Sequence, residues 1–387
     1  MIIFNFIIAT AISYALNSAA AIGFSTQNPS RLSVKEESKN LTAQATPATP
    51  NINCGPGKPR DKHLWPFACD SIWNVPIGSN ANYVDAYIGS NGAGVDTDWY
   101  IPTKNTDQLQ HVHMVGAWGK GRCIGTKPQE QAQWHPKAGE QLHIPHELII
   151  PDARENFTPN NSSAFLKPDG KTLVSFNVTT RCEKGGPLYG YWFGEQDIYG
   201  DGIDGGHGGS GMSSIGGSIR QGELVDNNPI RHALKLVIWG KWLHYNSSSP
   251  TPGRRWPARV ADAYASNQYK GSNPALVMGS LLAVPPHVSA ESLGLTTKAG
   301  KKIFQAMQDY GAYIVDDSGW DFNYICLERA AEEEYEKVTG RHFNDDKHLQ
   351  DDLTKIIGAL KVVDNNGPKN IGGGGTPRQP LAPPIEN

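Results

Sequence analysis

PDGKTLVSFNV, residues 168–178, is the stretch that decides the fold. Pro168-Asp169-Gly170 is a turn signal, and Thr172 to Val178 is rich in β-branched and aromatic residues. A hairpin strand follows from that pairing. Outward from it, His111 to Val115 and Gln141 to Ile144 alternate apolar and polar residues, as half-buried strands do. PLYGYWF (187–193) and ALKLVIWGKW (233–242) carry the same strand-forming residues, and ALVMGSLLAV (275–284) reads as buried on both faces. Helices come late. Thr297 is placed to cap a helix through Tyr310, with Ile303, Met307 and Tyr310 on one face and Gly311 at its end. An acidic helix follows over Glu328–Val338, and a third over Asp346–Leu360 with Leu349, Leu353, Ile356, Ile357 and Leu360 on one stripe. The expected fold is mainly β: a β-sandwich or jelly-roll-like core with a few peripheral C-terminal helices.

Composition agrees and narrows the function classes. The 387 residues include 42 Gly, 27 Pro and 35 aromatic side chains (Trp 10, Tyr 14, Phe 11). That mixture suits a turn-rich β protein. The 35 Lys+Arg against 38 Asp+Glu leave a net charge of −3. Balanced charge excludes a general nucleic-acid binder and a polybasic membrane-surface protein. A hydrophobic fraction of 38% excludes a disordered chain.

Residues 2–16 form an apolar run broken only by Asn5, Thr10, Ser13 and Tyr14, and Ala19-Ala20-Ala21 follows. This fits a signal peptide over residues 1–21, although no Lys or Arg precedes the run. The run is shorter than the ~20 residues that span a bilayer, so no membrane association is expected after cleavage. Residues 22–53 read as a flexible linker, 54–363 as a single β-rich domain and 364–387 as a disordered tail. The expected location is secreted and extracellular, and the five cysteines agree. Cys54 with Cys69, and Cys123 with Cys182, are the expected bridges, leaving Cys326 unpaired, although other pairings are open. Sequons occur at Asn40, Asn156, Asn160, Asn161, Asn177 and Asn246.

The candidate chemistry concentrates in two neighbouring segments. DIYGDGIDGGHGGSGMSSIGGSIR (197–220) carries Asp201, Asp204 and His207 on a glycine-rich run whose backbone can approach a ligand closely. The competing reading is a surface loop whose glycines serve only its turns. GGSIRQGEL (216–224) and NPIRHALKL (228–236) then add Arg220, Glu223, Arg231 and His232. A polysaccharide lyase needs a cation to neutralise a uronate and a base to take a proton; a glycoside hydrolase needs two carboxylates. His232 or His207 is the candidate base, Arg220 the neutraliser, and Glu223 the acid or the orienter of the base. Trp192 and Trp118, with Arg231, are candidate sugar contacts, because flat aromatic faces stack on sugar rings. The bland reading makes the Arg–Glu pair and the histidine ordinary core packing.

DSIWNVPI (70–77), GMSSIGGSIRQGELV (211–225), PIRHALKL (229–236), RWPARVADAY (255–264) and AMQDYGAYIVDDSGW (306–320) occur in that order. The ordered set, covering roughly residues 65 to 360, resembles a group of secreted bacterial proteins. The resemblance implies a secreted single-domain chain and brings no catalytic residue with it. The histidine-rich 111–146 segment and the GGHGG loop depart from the group's pattern.

The leading expectation is a secreted carbohydrate-active enzyme that cleaves a polysaccharide, by hydrolysis or β-elimination, with an extracellular glycan as partner. One alternative is a non-catalytic glycan-binding or cell-surface matrix protein. A second is a secreted metalloprotein built on His111 and His113, which share a strand face; it lacks the Glu that a cupin-like site would place after His113. No cofactor and no bound metal are called for. Neither a G-x-S-x-G nor an H-E-x-x-H motif is present.

Overall fold

Pro168-Asp169-Gly170 does turn the chain. Gly170 adopts φ 66°, and the Asp169 carboxylate accepts hydrogen bonds from the backbone N–H of Lys171 and Thr172. The turn joins strand β5 (Ser163–Leu166) to β6 (Thr172–Thr180) as an antiparallel hairpin. The computed structural model describes residues 54–386 apart from 90, 115–120, 124, 126–140 and 153–159, with the side chains of 192 and 193 also outside the description. The expected signal peptide and linker therefore lie outside the described residues.

The protein is mainly β. Before the hairpin come β1 (Tyr83–Asp85), β2 (Ala93–Pro102), β3 (Gln108–His113) and β4 (Gln141–Ile144). After it come β7 (Leu188–Asp197), β8 (Leu234–Ile238), β9 (Leu281–Ala283), β10 (Ala312–Asp317), β11 (Asn323–Glu328) and β12 (Lys361–Val363). They join edge to edge in the order β1-β12-β9-β10-β8-β11-β2-β5-β6-β7-β3-β4. The sheet is mixed: β10/β8, β11/β2, β2/β5 and β3/β7 are parallel pairs. Parallel pairs need long crossovers, which single-strand patterns do not reveal.

Two apolar clusters support the two ends of this sheet. The larger gathers Trp73, Ile219, Leu236, Ile314 and Leu353 with many others. The smaller, under β3 to β7, includes Val112, Ile144, Phe165, Val174 and Phe176. The late helices are α2 (Lys298–Asp309), α3 (Arg329–Thr339) and α4 (Lys347–Gly358), following a single turn, α1 (Ala265–Gln268). Thr297 caps α2 by accepting from the Gly300 N–H, and Gly311 at φ 82° ends its descent into β10. Asp346 caps α4 in the same way. No helix among the described residues is long and apolar enough to cross a membrane.

Both expected disulfides are present, Cys54–Cys69 and Cys123–Cys182, with Cα–Cα spans of 5.5 and 6.4 Å. Cys326 is buried and free. Disulfides persist in oxidising compartments, so the pair suits an environment outside the cytosol.

The segment from residue 364 onward corrects an expectation. It is not a loose tail: residues 51–387 group as one compact unit, and the end of the chain runs along residues 55–80. Gly55 donates to Ala382, Gly78 to Gly372 and Arg378 to Ile77, and Ala382 is buried. Its Gly/Pro-rich composition reflects close backbone packing: a Cβ on Gly55 would lie 1.7 Å from the Leu381 carbonyl oxygen.

Candidate functional site

Strand alternation places an unusual set of polar side chains on one face of the central sheet. Asp96 and Asp98 are two apart on β2, so they project together. The β2/β11 register sets Asp96 opposite Cys326, and the β10/β8 register sets Tyr313 opposite Lys235 and Asp316 opposite Val237. The glycine-rich loop lies over this face. Gly216 and Gly217 allow it, because a Cβ on either would lie 2.2 or 2.4 Å from atoms of the buried Trp73 ring.

Above the ends of β8 and β10 opens a cleft of about 570 Å³. Its acids are Asp96, Asp262, Asp316 and Asp317; its aromatics include Tyr264, Trp320 and Tyr324; Asn160, Asn177 and His207 complete the polar wall. Tyr264 and Trp320 are 47% and 45% exposed, and the Trp320 ring packs edge-on against Tyr324. Asp262 and Asp316 face one another across Gly209, at φ 50°: a Cβ there would lie 2.6 Å from Asp316 Oδ1 and 3.1 Å from Asp262 Oδ2. The two oxygens can be no farther apart than those distances laid end to end. Asn160 Nδ2 donates to Asp316 Oδ2 at 2.9 Å, and the Tyr269 hydroxyl donates to Asp262 Oδ2 at 2.5 Å. Asp317 Oδ1 accepts from the N–H groups of Gly240 and Gly319.

Every one of these acids is harder to ionise than a free aspartate. Burial pushes Asp96 up to about 7, with the charge of Asp98 adding to it. Burial pushes Asp262 up to about 6, against the Tyr269 hydrogen bond and with help from Asp317. Asp316 stands well above the carboxylate range through burial and then through Asp262 and Asp96. Asp317 is raised by burial as well. Fully buried His207 is held well below its usual value by burial and by Lys235, so its ring is neutral.

The raised acids predict an inverted pH dependence of stability. A carboxyl whose folded pKa lies above its unfolded one stabilises fully below the unfolded value and loses that contribution as pH rises through the folded one. Asp96 and Asp262 therefore make the fold weaker at pH 8 than at pH 6, and neutral His207 opposes the trend only below about 6.5. Asp226, held low beside Lys302, loses its contribution only below about pH 4. Thermal unfolding should show a higher Tm at pH 6 than at pH 8. Asp96→Asn should flatten the slope and stabilise the domain at pH 8 by on the order of 2 kcal/mol. A Tm that falls between pH 8 and pH 6 would contradict this account.

Only part of the expected site meets here. His207 lines the cleft, with Nδ1 3.7 Å from Asp316 and Nε2 3.6 Å from Asp98. Asp201 and Asp204 are exposed, Asp201 binding the Ile203 N–H and Asp204 forming a two-pronged ion pair with Arg259. Arg220, Glu223 and His232 form a separate buried network. His232 Nε2 lies 3.0 Å from Glu223 Oε2, which also accepts from the Arg220 N–H, and the Arg220 guanidinium lies on Tyr100 and near Glu328. Burial works to lower the His232 pKa, but the Glu223 charge and hydrogen bond outweigh it and the net shift is upward. None of the three lines this cleft; Arg220 and His232 instead border a small separate hollow with Trp65, Trp73 and Asn74, apart from the four acids. Arg231 stacks on Trp65. Trp118 and the Trp192 side chain lie outside the described residues.

Two donor sets could in principle gather a metal. Cys123, Asp152 and Cys182 come together, but the two sulfurs are spent in a disulfide. Asp98, His207 and Cys326 come within 4.8 Å of one another, yet the Lys235 ammonium already sits 2.7 Å from Asp98. A cation beside that carboxylate opposes a second one, and we read the trio as buried polar packing. His111 and His113 border a shallow surface hollow with Gln141 and Gly185.

No family model, curated protein or solved structure matches this chain. The chemistry is therefore read from geometry. Two of the motifs quoted above converge on the cleft: RWPARVADAY brings Asp262 and Tyr264, and AMQDYGAYIVDDSGW brings Asp316, Asp317 and Trp320. Sequence reasoning missed all four cleft acids, and the acid doublet ending a β-rich run at Val315-Asp316-Asp317 was the signal that pointed to two of them.

Proposed function

We propose that the protein is a secreted glycoside hydrolase acting at Asp262 and Asp316. The observation that carries the reading is a facing carboxyl pair, with ionisation pushed up to different extents, in a cleft walled by exposed aromatics. Two carboxyls separated in this way are the acid/base arrangement of glycosidic hydrolysis. Asp316, the harder to ionise, keeps its proton and donates it to the leaving oxygen. Asp262, which ionises near pH 6, attacks or stabilises the sugar carbon. The spacing across Gly209 falls short of the roughly 6.5 Å at which water-admitting, inverting pairs begin, which supports retention of configuration. Tyr264, Trp320 and Tyr324 offer faces for sugar rings. Among the described residues no Lys or Arg lines the cleft, which disfavours the lyase reading because a uronate would enter unneutralised.

The test is incubation with neutral polysaccharides, following reducing ends and absorbance near 235 nm, a rough wavelength for unsaturated uronate products of proton abstraction. New reducing ends without absorbance are the expected result. Rising absorbance would restore the lyase, and binding without cleavage would make this a glycan-binding protein.

A further inference from the structure

The same cleft is strongly one-sided in its ionisable groups. Asp96, Asp262, Asp316 and Asp317 line it, and among the described residues no Lys or Arg does. The cation beneath, Lys235, is fully buried, and its ammonium is committed to Asp98 Oδ2 at 2.7 Å and the Ser214 carbonyl at 2.8 Å. Arg259, at the neighbouring loop, is paired with Asp204. A second observation points to a ligand. His207 is fully buried, lines the cleft, and has no hydrogen-bond partner at Nδ1 among the described residues. Nε2 is turned to Asp98 and Cys326, so Nδ1 is the ring nitrogen left to meet a ligand from the cleft side. Four acids with no basic side chain beside them call for a donor-rich, positively charged group, and the unpartnered ring nitrogen marks a place where a ligand is missing a contact.

We propose that the cleft takes a glycan of amino sugars with free amino groups, one ammonium seating on Asp317, beside the Asp262/Asp316 pair. This rests on the hydrolase reading above. An ammonium brings three donors and no acceptor, so it satisfies facing carboxylates without a clash of lone pairs. Burial, and for Asp262 and Asp316 the neighbouring acids after it, disfavours negative charge in this cleft; a cation at Asp317 offsets the burial cost there, and a polyuronate would add like charge. The neutral N-acetylated sugar keeps the ring stacking and loses the charge.

The experiment compares glucosamine oligomers, their N-acetylated counterparts and oligogalacturonates on the full chain. It measures cleavage by product analysis and binding by calorimetry, at ionic strengths of roughly 0.02 and 0.5 M so that screening is varied widely. Expected is a kcat/KM at least about tenfold higher for the glucosamine oligomer than for its acetylated form, a preference that shrinks at high salt, and no turnover of oligogalacturonate. Asp317→Asn should reduce the cationic-to-neutral ratio several-fold, whereas structural damage would lower both rates together and leave their ratio. Equal cleavage of neutral and cationic oligomers, or cleavage of the galacturonate, overturns the proposal and leaves the hydrolase standing. Salt-sensitive binding of the glucosamine oligomer with no cleavage of anything defeats the hydrolase and keeps the ligand class. Absence of both binding and cleavage defeats both.

Discussion

Asp316→Asn should abolish glycan cleavage while leaving the domain folded and more stable at neutral pH. The expected loss in kcat is on the order of 10²–10⁴-fold, the range attributed to a positioned general acid. Asn is nearly isosteric with the protonated carboxyl that burial enforces at this position. Asp316 accepts at both oxygens, Oδ2 from Asn160 and Oδ1 from the Asp317 N–H; Asn keeps one of these bonds, and the loss of the other, about 1 kcal/mol, is smaller than the cost of ionising a buried carboxyl that it removes. Removing an acid that resists ionisation removes its destabilising contribution above the carboxylate range, and Tm at pH 7.5 should rise. Asp204→Asn is the control. Its carboxylate is exposed and paired with Arg259 outside the cleft, and activity should stay within about twofold. The wild-type rate should rise with pH through about 6 as Asp262 ionises and fall at higher pH as Asp316 loses its proton. Because the two carboxyls interact, those limbs belong to the pair and not to either residue alone. Full activity in Asp316→Asn would exclude the assignment, and loss of activity with a collapsed Tm would show a structural role instead.

The elements legible in the sequence are those in which one face is apolar and nothing else competes. The β5–β6 turn, β4, the Thr297 cap of α2 and the Asp346 cap of α4 all fall where pattern and capping chemistry agree. Strand β2, AGVDTDWYIP, carries no such signal. Its inward positions hold Asp96, which lines the cleft, and the buried Asp98, and these acids erase the hydrophobic alternation that would have announced the strand. The ALVMGSLLAV run yields only the short β9, because Gly279 at φ 84° packs its backbone against Arg255 and Ala258 instead of continuing a ladder. The site was half visible for a related reason. His207 stood out through its glycines, but its partners come from residues 96, 262, 316 and 317, which only the mixed sheet brings together. Arg220, Glu223 and His232 drew notice by proximity in sequence, and folding used that proximity to satisfy one another inside the core.

Lys235→Met should be the most damaging single change to stability, costing about 3–5 kcal/mol at pH 8, the range for breaking one side of a buried ion pair. Lys235 and Asp98 are both essentially inaccessible, and their 2.7 Å contact is reinforced by Ser218 on the carboxylate and by the Ser214 carbonyl on the ammonium. Met fills the volume of the lysine stem, so the loss is electrostatic and not a cavity. Without its cation, Asp98 must take up a proton or remain as an uncompensated buried charge. Burial already raises its pKa against the pull of Lys235, and removing that pull raises it further. The sign is then fixed: the deficit of Lys235→Met should shrink as pH falls from 8 toward 5, because a raised carboxyl pKa returns stability on protonation. Adding Asp98→Asn should recover most of the loss, since a neutral amide can still accept from Ser218 and carries no charge. Denaturant unfolding of the two single variants and the double variant measures the coupling directly. A cost below about 1 kcal/mol for Lys235→Met, or a double variant as weak as the sum of its parts, would mean that the pair is solvated and does not anchor the floor beneath His207.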